Sequence, residues 1–397
     1  MEQFRQIDCF HINMKFWKLL AIWPDGDTCR YYGFYSKSFV SFFVILYYIL
    51  LTINFYFLPR HLDNFIEEMI FYFTELVVAA KVFTFLFMRN KIIEILKTLE
   101  SDMFQPNIPD GFDIILKAKK FNVTYWKIVA IVSFVSNVTH LLSPLIIHLI
   151  FSANLELPIC SYSFLSKEFK NKFIYPIYFY QCFGMFFHML YNVNIDTFLL
   201  GIIILTIAQI DILDLKLRKL TKKTPDGNMD TKVVQKLRCK DSYYLLELKK
   251  SIIHFDQVGK FCALIQQVFS VALFLQFSTS SCIICVCLFR CTLRAPMQYY
   301  IFLSTYMFIM IIQIMVPCWF GTRVIEKSYL LTRAIYDCDW ISRSPQFKSN
   351  LRFFIERANR PLSITGGKMF LLSVATFTSI MNTAYSFFTL LRHMQSR

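Results

Sequence analysis

Five ionisable side chains stand inside stretches that are otherwise apolar. Glu67, Glu68, Glu75 and Lys81 fall within residues 65–88, and Asp196 interrupts the 38 apolar residues from 173 to 210. A charge in hydrocarbon is costly, so such groups face a bundle interior, water or one another. Glu67 and Glu68 read as the solvated outer end of a helix. Glu75 and Lys81 are six residues apart, off a common helix face, so neither is the other's evident partner. Glu75 is then either a water-facing interior group or one half of a hydrogen-bonded pair.

Other candidate chemistry is thin. Cys282, Cys285, Cys287 and Cys291 cluster on one apolar segment, with no His or carboxylate to complete a metal set, so they read as small buried hydrophobes. There is no Gly-rich phosphate loop, no His-Glu-x-x-His pair, no nucleophile elbow and no carboxylate pair placed for a leaving group. Ten glycines in 397 residues leave little for nucleotide-cradling turns. No enzyme activity and no cofactor are expected. Asn122-Val-Thr and Asn137-Val-Thr match the glycosylation pattern. The first is expected inside the cell and the second within the bilayer, so neither should carry sugar.

The elements that must position these groups are membrane spans. The chain is 56% hydrophobic, with 44 Phe and 21 Tyr and a mean hydropathy of +0.45. Apolar runs of spanning length recur at 39–58, 65–88, 128–151, 173–210, 261–289, 295–322 and 369–391. Residues 173–210 are read as one long helix that runs out into the cytoplasm, because two helices would need roughly 40 residues plus a turn. The expectation is an all-α polytopic membrane protein with seven transmembrane helices.

Basic residues orient it. Twelve Lys/Arg lie in 211–260 and nine in 323–368. With the N-terminus inside, 32 fall in cytoplasmic connections and eight outside, as the positive-inside rule requires. The N-terminus is then cytoplasmic and the C-terminus extracellular. Splitting the fourth stretch would put the twelve-residue cluster outside, which also favours seven spans. The net charge of +15 is explained by basic loops against anionic membrane lipid, with no nucleic-acid partner. No cleavable signal peptide is read in residues 1–37, which mix charges and aromatics.

The outer halves of spans two, three, four and six share an aromatic, nearly uncharged character. Span two offers Phe71, Tyr72, Phe73 and Leu76. Span three offers Ser136, Thr139 and His140. Span four offers Tyr178, Phe179 and Phe183, and span six Phe302 and Tyr306. A pocket of rings with a few hydroxyls suits a small, mostly hydrophobic ligand, with dispersion from the rings and one directional bond from Tyr or Ser. Aromatic belts of membrane proteins populate the same depths. Nearer the C-terminus, residues 345–358 read as a short amphipathic cytoplasmic helix. Pro361 stops it, Gly366-Gly367 turns the chain, and Met369 begins the last span.

Here the chain resembles the insect odorant receptors. The matching elements are Tyr336…Trp340, Arg360-Pro361-Leu362, Thr365-Gly366-Gly367 and Tyr385-Ser386-Phe387-Phe388-Thr389-Leu390-Leu391, with Phe16-Trp17-Lys18-Leu19-Leu20 and Trp23-Pro24 near the N-terminus. The resemblance implies a ligand-gated cation channel in the plasma membrane of olfactory neuron dendrites. It would be a heterotetramer of odorant-tuned subunits and a shared odorant receptor co-receptor, opened by a small volatile odorant. Residues 211–260 are too short for the co-receptor's cytoplasmic loop, so the chain is similar to a tuned subunit. The implied organisation is a cytoplasmic segment at 1–38, a ligand-binding bundle at 39–210, anchor helices at 211–260, two spans with a cytoplasmic extension at 261–335, an anchor helix and turn at 336–367, and a pore-lining helix at 368–397. The resemblance also places Tyr336 and Trp340 at subunit contacts. Aligned by Phe387-Phe388, it places Leu390 at an apolar ring that closes the pore and His393 at an adjoining polar position. A gustatory-type receptor channel or a transporter is the alternative. The chain departs from the gustatory ending, with Thr383-Ala384-Tyr385 and Leu391-Arg392-His393.

Overall fold

The computed structural model describes residues 5–24, 30–58, 62–152, 154–221, 232–293, 297–337, 340–341 and 343–395. The described chain is helical almost throughout. A short α1 (His11–Leu19) is followed by α2 (Arg30–Val40), which passes through one wide helical turn at Ser41–Ile45 into α3 (Leu46–Tyr56). Then come α4 (Leu62–Phe87), α5 (Arg89–Leu99), α6 (Pro109–Phe151), α7 (Lys167–Lys172), α8 (Ile174–Thr221), α9 (Lys232–Arg290), α10 (Met297–Tyr336), α11 (Pro345–Ala358) and α12 (Val374–Gln395). Among the described residues, six helical stretches are long and apolar enough to cross a bilayer. The seventh, α12, has 22 residues, about 33 Å at 1.5 Å per residue. Its apolar content is diluted by a polar face.

The fourth apolar stretch is indeed one helix. At 48 residues, α8 is about 72 Å long, more than twice the hydrocarbon thickness, so it projects well beyond the membrane. The largest core is built along α8 from Tyr191 to Leu217 and takes in residues of most other helices. Trp17 of α1 is fully buried and stands edge-on to Phe85 of α4 and Phe198 of α8, at ring-centroid distances of 4.9 and 4.7 Å. Asn13 of α1 donates to Asn194 O and Thr197 Oγ1 of α8, both at 2.9 Å. The N-terminal segment is thus part of the bundle's packing rather than a tail. Just before α1, burial pushes the Cys9 thiol up to about 12, as expected of a small buried hydrophobe.

Short-range signals set α11. Pro345 occupies the first turn, where its missing N–H is no loss, and the Ser344 hydroxyl accepts from Phe347 N. The last span starts later than its apolar run suggests, at Val374 rather than Met369. The intervening residues form a two-stranded hairpin, β1 (Thr365–Gly366) antiparallel to β2 (Phe370–Leu371). Gly367 turns it with a φ of +61°, which a side chain would strain, and its N–H reaches Ser270 O of α9 at 3.0 Å. The Ser373 hydroxyl then caps α12 by accepting from Thr376 N.

Candidate functional site

Three features stand out: an aromatic cluster in the outer half, a buried polar network beneath it, and the exposed face of α12. The cluster is built on α4, whose consecutive rings cannot all face one way. Tyr72 points to α3, where it stacks on Phe55 at 4.9 Å and on Tyr48 at 5.5 Å, and Tyr48 Oη donates to Tyr72 Oη at 3.0 Å. Phe71 points between α6 and α10, with its ring 5.6 Å from His140 and 6.4 Å from Tyr306. The Tyr306 hydroxyl pairs with Thr74 Oγ1. Phe73 packs against a satellite core that includes Ile70, Ile283 and Leu303, and Leu76 is half-buried.

His140 and Tyr306 are therefore brought to Phe71, while Tyr72 turns toward α3 and Phe73 toward the satellite core. The other expected residues are placed differently. Tyr178 is buried and donates to Leu141 O, tying α8 to α6. Ser136 is half-buried, while Thr139 is exposed and returns its hydroxyl to Val135 O at 2.8 Å. Phe179 and Phe183 are exposed on the single chain. The side chain of Phe302 lies outside the described residues, as do those of Glu67 and Gln395.

His140 also serves the connection that covers the cluster. Its Nε2 lies 2.9 Å from Pro158 O. The same connection is held by Gln181 of α8, which donates to Cys160 O at 2.9 Å and accepts from Ile159 N at 3.2 Å. Asn54 of α3 accepts from Ser163 N at 2.6 Å and donates to Glu68 of α4. Glu68 is accordingly a tether between helix and loop, not merely a solvated helix end.

Below the cluster, Glu75 and Lys81 do not meet. Glu75 pairs with His188 Nδ1 of α8, whose Nε2 lies 2.6 Å from Phe43 O. Lys81 Nζ lies 2.6 Å from Asp196 Oδ1 and 2.6 Å from Asn192 Oδ1. Gln313 of α10 completes the network, with Nε2 2.6 Å from Asp196 Oδ2 and 3.1 Å from Asn192 Oδ1. His188, Asn192 and Gln313 were not anticipated from sequence. The signal existed for two of them, since His188, Asn192 and Asp196 are spaced by four and form one polar stripe on an apolar helix.

The third feature is α12. Ala375, Thr378, Ser379, Asn382, Thr383, Ser386 and Phe387 line an open concavity of about 610 Å³ along its length. These positions recur at helical spacing, so they share one face. Leu390 and His393, both exposed, continue that face one and two turns on. At the cytoplasmic end Tyr336 is exposed, while Trp340 is half-buried against the chain's own core.

Residues 61–385 match the family model described as 7tm Odorant receptor. Odorant receptor 2a of Drosophila melanogaster is 29% identical over 221 residues, 53% of this chain and 53% of the relative. Odorant receptor 10 of Aedes albopictus is 31% identical over 121 residues, 30% of this chain and 32% of the relative. The matched segments thus span about half, or less, of the length of these curated relatives. The fold is similar to that of the insect olfactory receptor OR5 from Machilis hrabei, with a TM-score of 0.80 at 16% identity over 97% of this chain and 99% of that one. It is also similar to that receptor solved in complex with eugenol, with a TM-score of 0.78 at 14% identity over 97% of both chains. At such identity the likeness is one of fold.

Proposed function

The chain belongs to the 7tm odorant receptor family, and on that footing we propose that it is an odorant-sensing subunit of a ligand-gated cation channel. It is a multi-pass membrane protein. The observation that carries the channel reading is the exposed face of α12. Thr378, Ser379, Asn382, Thr383 and Ser386 lie along an open concavity on a helix of spanning length. Lipid does not solvate an amide and a row of hydroxyls, so such a face belongs against water or another subunit. Copies of α12 around an axis would give a water-filled path, with Leu390 at its apolar constriction, Phe387 beside it and His393 beyond. Tyr336 and Trp340 sit where the cytoplasmic ends of subunits would meet, and the partner is the family's shared co-receptor. The setting is the plasma membrane of an olfactory neuron dendrite.

The ligand is a small volatile hydrophobic molecule. Its site is the space around Phe71, with His140 and Tyr306 facing that ring, Tyr72, Phe73 and Leu76 on the same helix, and Ser136, Thr139, Tyr178, Phe179, Phe183 and Phe302 on the neighbouring helices. A relative of the same fold has been solved with eugenol, a small aromatic molecule of the size such rings accommodate. The decisive experiment is coexpression with the co-receptor in a heterologous cell, followed by recording during exposure to a panel of volatile compounds. An evoked inward current supports the reading, and a silent channel at normal surface density rejects it. Within an active channel, Tyr306→Ala should raise the half-effective concentration by about tenfold, the loss of one well-packed ring. An unchanged concentration would remove Tyr306 from the site.

Orientation follows from the charge bias. An epitope appended after Arg397 should be reached by antibody on intact cells, whereas one inserted within 222–231 should be reached only after permeabilisation. The reverse pattern would overturn the N-terminus-inside arrangement.

A further inference from the structure

Pro317 lies in the middle of α10. Proline has no amide hydrogen, so the carbonyl four residues earlier loses its helical donor. That carbonyl belongs to Gln313. Gln276 Nε2 of α9 supplies a replacement, 3.4 Å from Gln313 O. The side chain of the same residue reaches the opposite way, to Asp196 and Asn192 of α8 at 2.6 and 3.1 Å. Asp196 in turn holds Lys81 of α4. One residue therefore braces the proline break against α8 and α9 directly, and against α4 through Asp196. An unbraced break is a soft point, but here backbone and side chain are both tied down.

The break also has a telling position. Eleven residues before it, about 16 Å along the axis, Tyr306 faces Phe71 and pairs with Thr74 in the aromatic cluster. Four residues after it, Gly321 lies so close to the chain before α12 that a Cβ would overlap Leu372 O. Thr322 Oγ1 accepts from Val374 N at 2.9 Å. One half of α10 thus carries part of the aromatic cluster, and the other carries the base of α12.

We propose that α10 is a lever hinged at Pro317, and that Gln313, Asp196 and Lys81 form the latch that sets its angle. Displacement of Tyr306 by a ligand would then be delivered to the base of α12 through the bend. The inference rests on the channel reading for its consequence but not for its geometry. Gln313 is a positioning residue in this scheme. A hydrogen bond to a carboxylate away from water meets little competition, so the latch holds one arrangement firmly until the lever is loaded.

Two substitutions separate latch from scaffold. Gln313→Leu removes the latch but leaves the Lys81–Asp196 ion pair in place, and Pro317→Ala restores the backbone hydrogen bond and stiffens the joint. At matched surface density, Gln313→Leu should raise the ligand-free fraction of the saturating current by about two- to thirtyfold. Pro317→Ala should lower the saturating current. A second measurement needs no current. Spin labels introduced as noncanonical amino acids at Thr305 and Tyr329, both exposed, flank the hinge by 24 residues, about 36 Å on a straight helix. In the full-length protein, Gln313→Leu should broaden the distance distribution and Pro317→Ala should lengthen its mean. Labels that respond in a channel that stays silent would keep the hinge and reject the channel reading. Distances unchanged by both substitutions, or currents like wild type in both, would overturn the hinge.

Discussion

Lys81→Met should be the most damaging single change in the membrane-embedded bundle, costing about 3–5 kcal/mol. The Lys81 side chain is 2% exposed and that of Asp196 21%, so both charges are largely withdrawn from water. Their attraction, together with the donors and acceptors of Asn192 and Gln313, offsets that desolvation. Removing the ammonium leaves a carboxylate with Gln313 alone. Since whole domains are stable by about 5–15 kcal/mol, the loss should appear as a severalfold drop in mature protein at the cell surface. The double substitution Lys81→Met/Asp196→Leu withdraws both charges and should recover most of it, because an apolar pair of similar volume has no desolvation to offset. Surface biotinylation of Lys81→Met, Asp196→Leu and the double variant reads the cycle. A double variant as poor as Lys81→Met would show that the two charges act independently, and a normal Lys81→Met would show that the network contributes no stability.

That network also marks where sequence reasoning stops. The costs of Glu75, Lys81 and Asp196 in apolar helices were legible, and so was the fact that Glu75 and Lys81 lie on different faces. Their partners were not, because pairing depends on which helices become neighbours and at what depth. Glu75 finds His188 and Lys81 finds Asp196 only once α4 lies against α8. The bounds of α11 were legible to the residue, since Pro345 and Ser344 act within one turn. The hairpin before α12 was not. It exists because Gly366 and Gly367 lie against Leu273 and Phe274 of a helix about 90 positions earlier, a contact no local pattern announces. The N-terminal Trp17 was noted only as part of a motif, yet it is a fully buried member of the core. In the aromatic cluster, composition pointed to the helices that carry the rings but not to the direction of each ring. Phe71 turns toward His140 and Tyr306, whereas Thr139 returns its hydroxyl to its own helix at Val135 O.

Leu390→Ser should open the channel without ligand. Leu390 is 54% exposed on the single chain, and it continues the face of α12 that carries Asn382 and Ser386, at successive four-residue steps. Every turn of that face before Phe387 offers a hydroxyl or amide that water can wet. Leu390 offers only methyl groups. A ring of such groups in a narrow path excludes water, and a cation cannot cross where its hydration shell cannot follow. Serine keeps the helix and shortens the side chain, and its hydroxyl lets water through the constriction. The ligand-free current should rise about tenfold relative to the saturating current, equivalent to about 1.4 kcal/mol less bias toward the closed pore. Leu390→Val, which stays apolar, should leave the resting current low, and this separates wetting from a general loss of packing. Serine at Phe387, on the edge of the same face, should have a smaller effect. If Leu390→Ser closes as tightly as wild type while Phe387→Ser does not, the constriction lies one turn deeper. If neither leaks, α12 does not carry the gate.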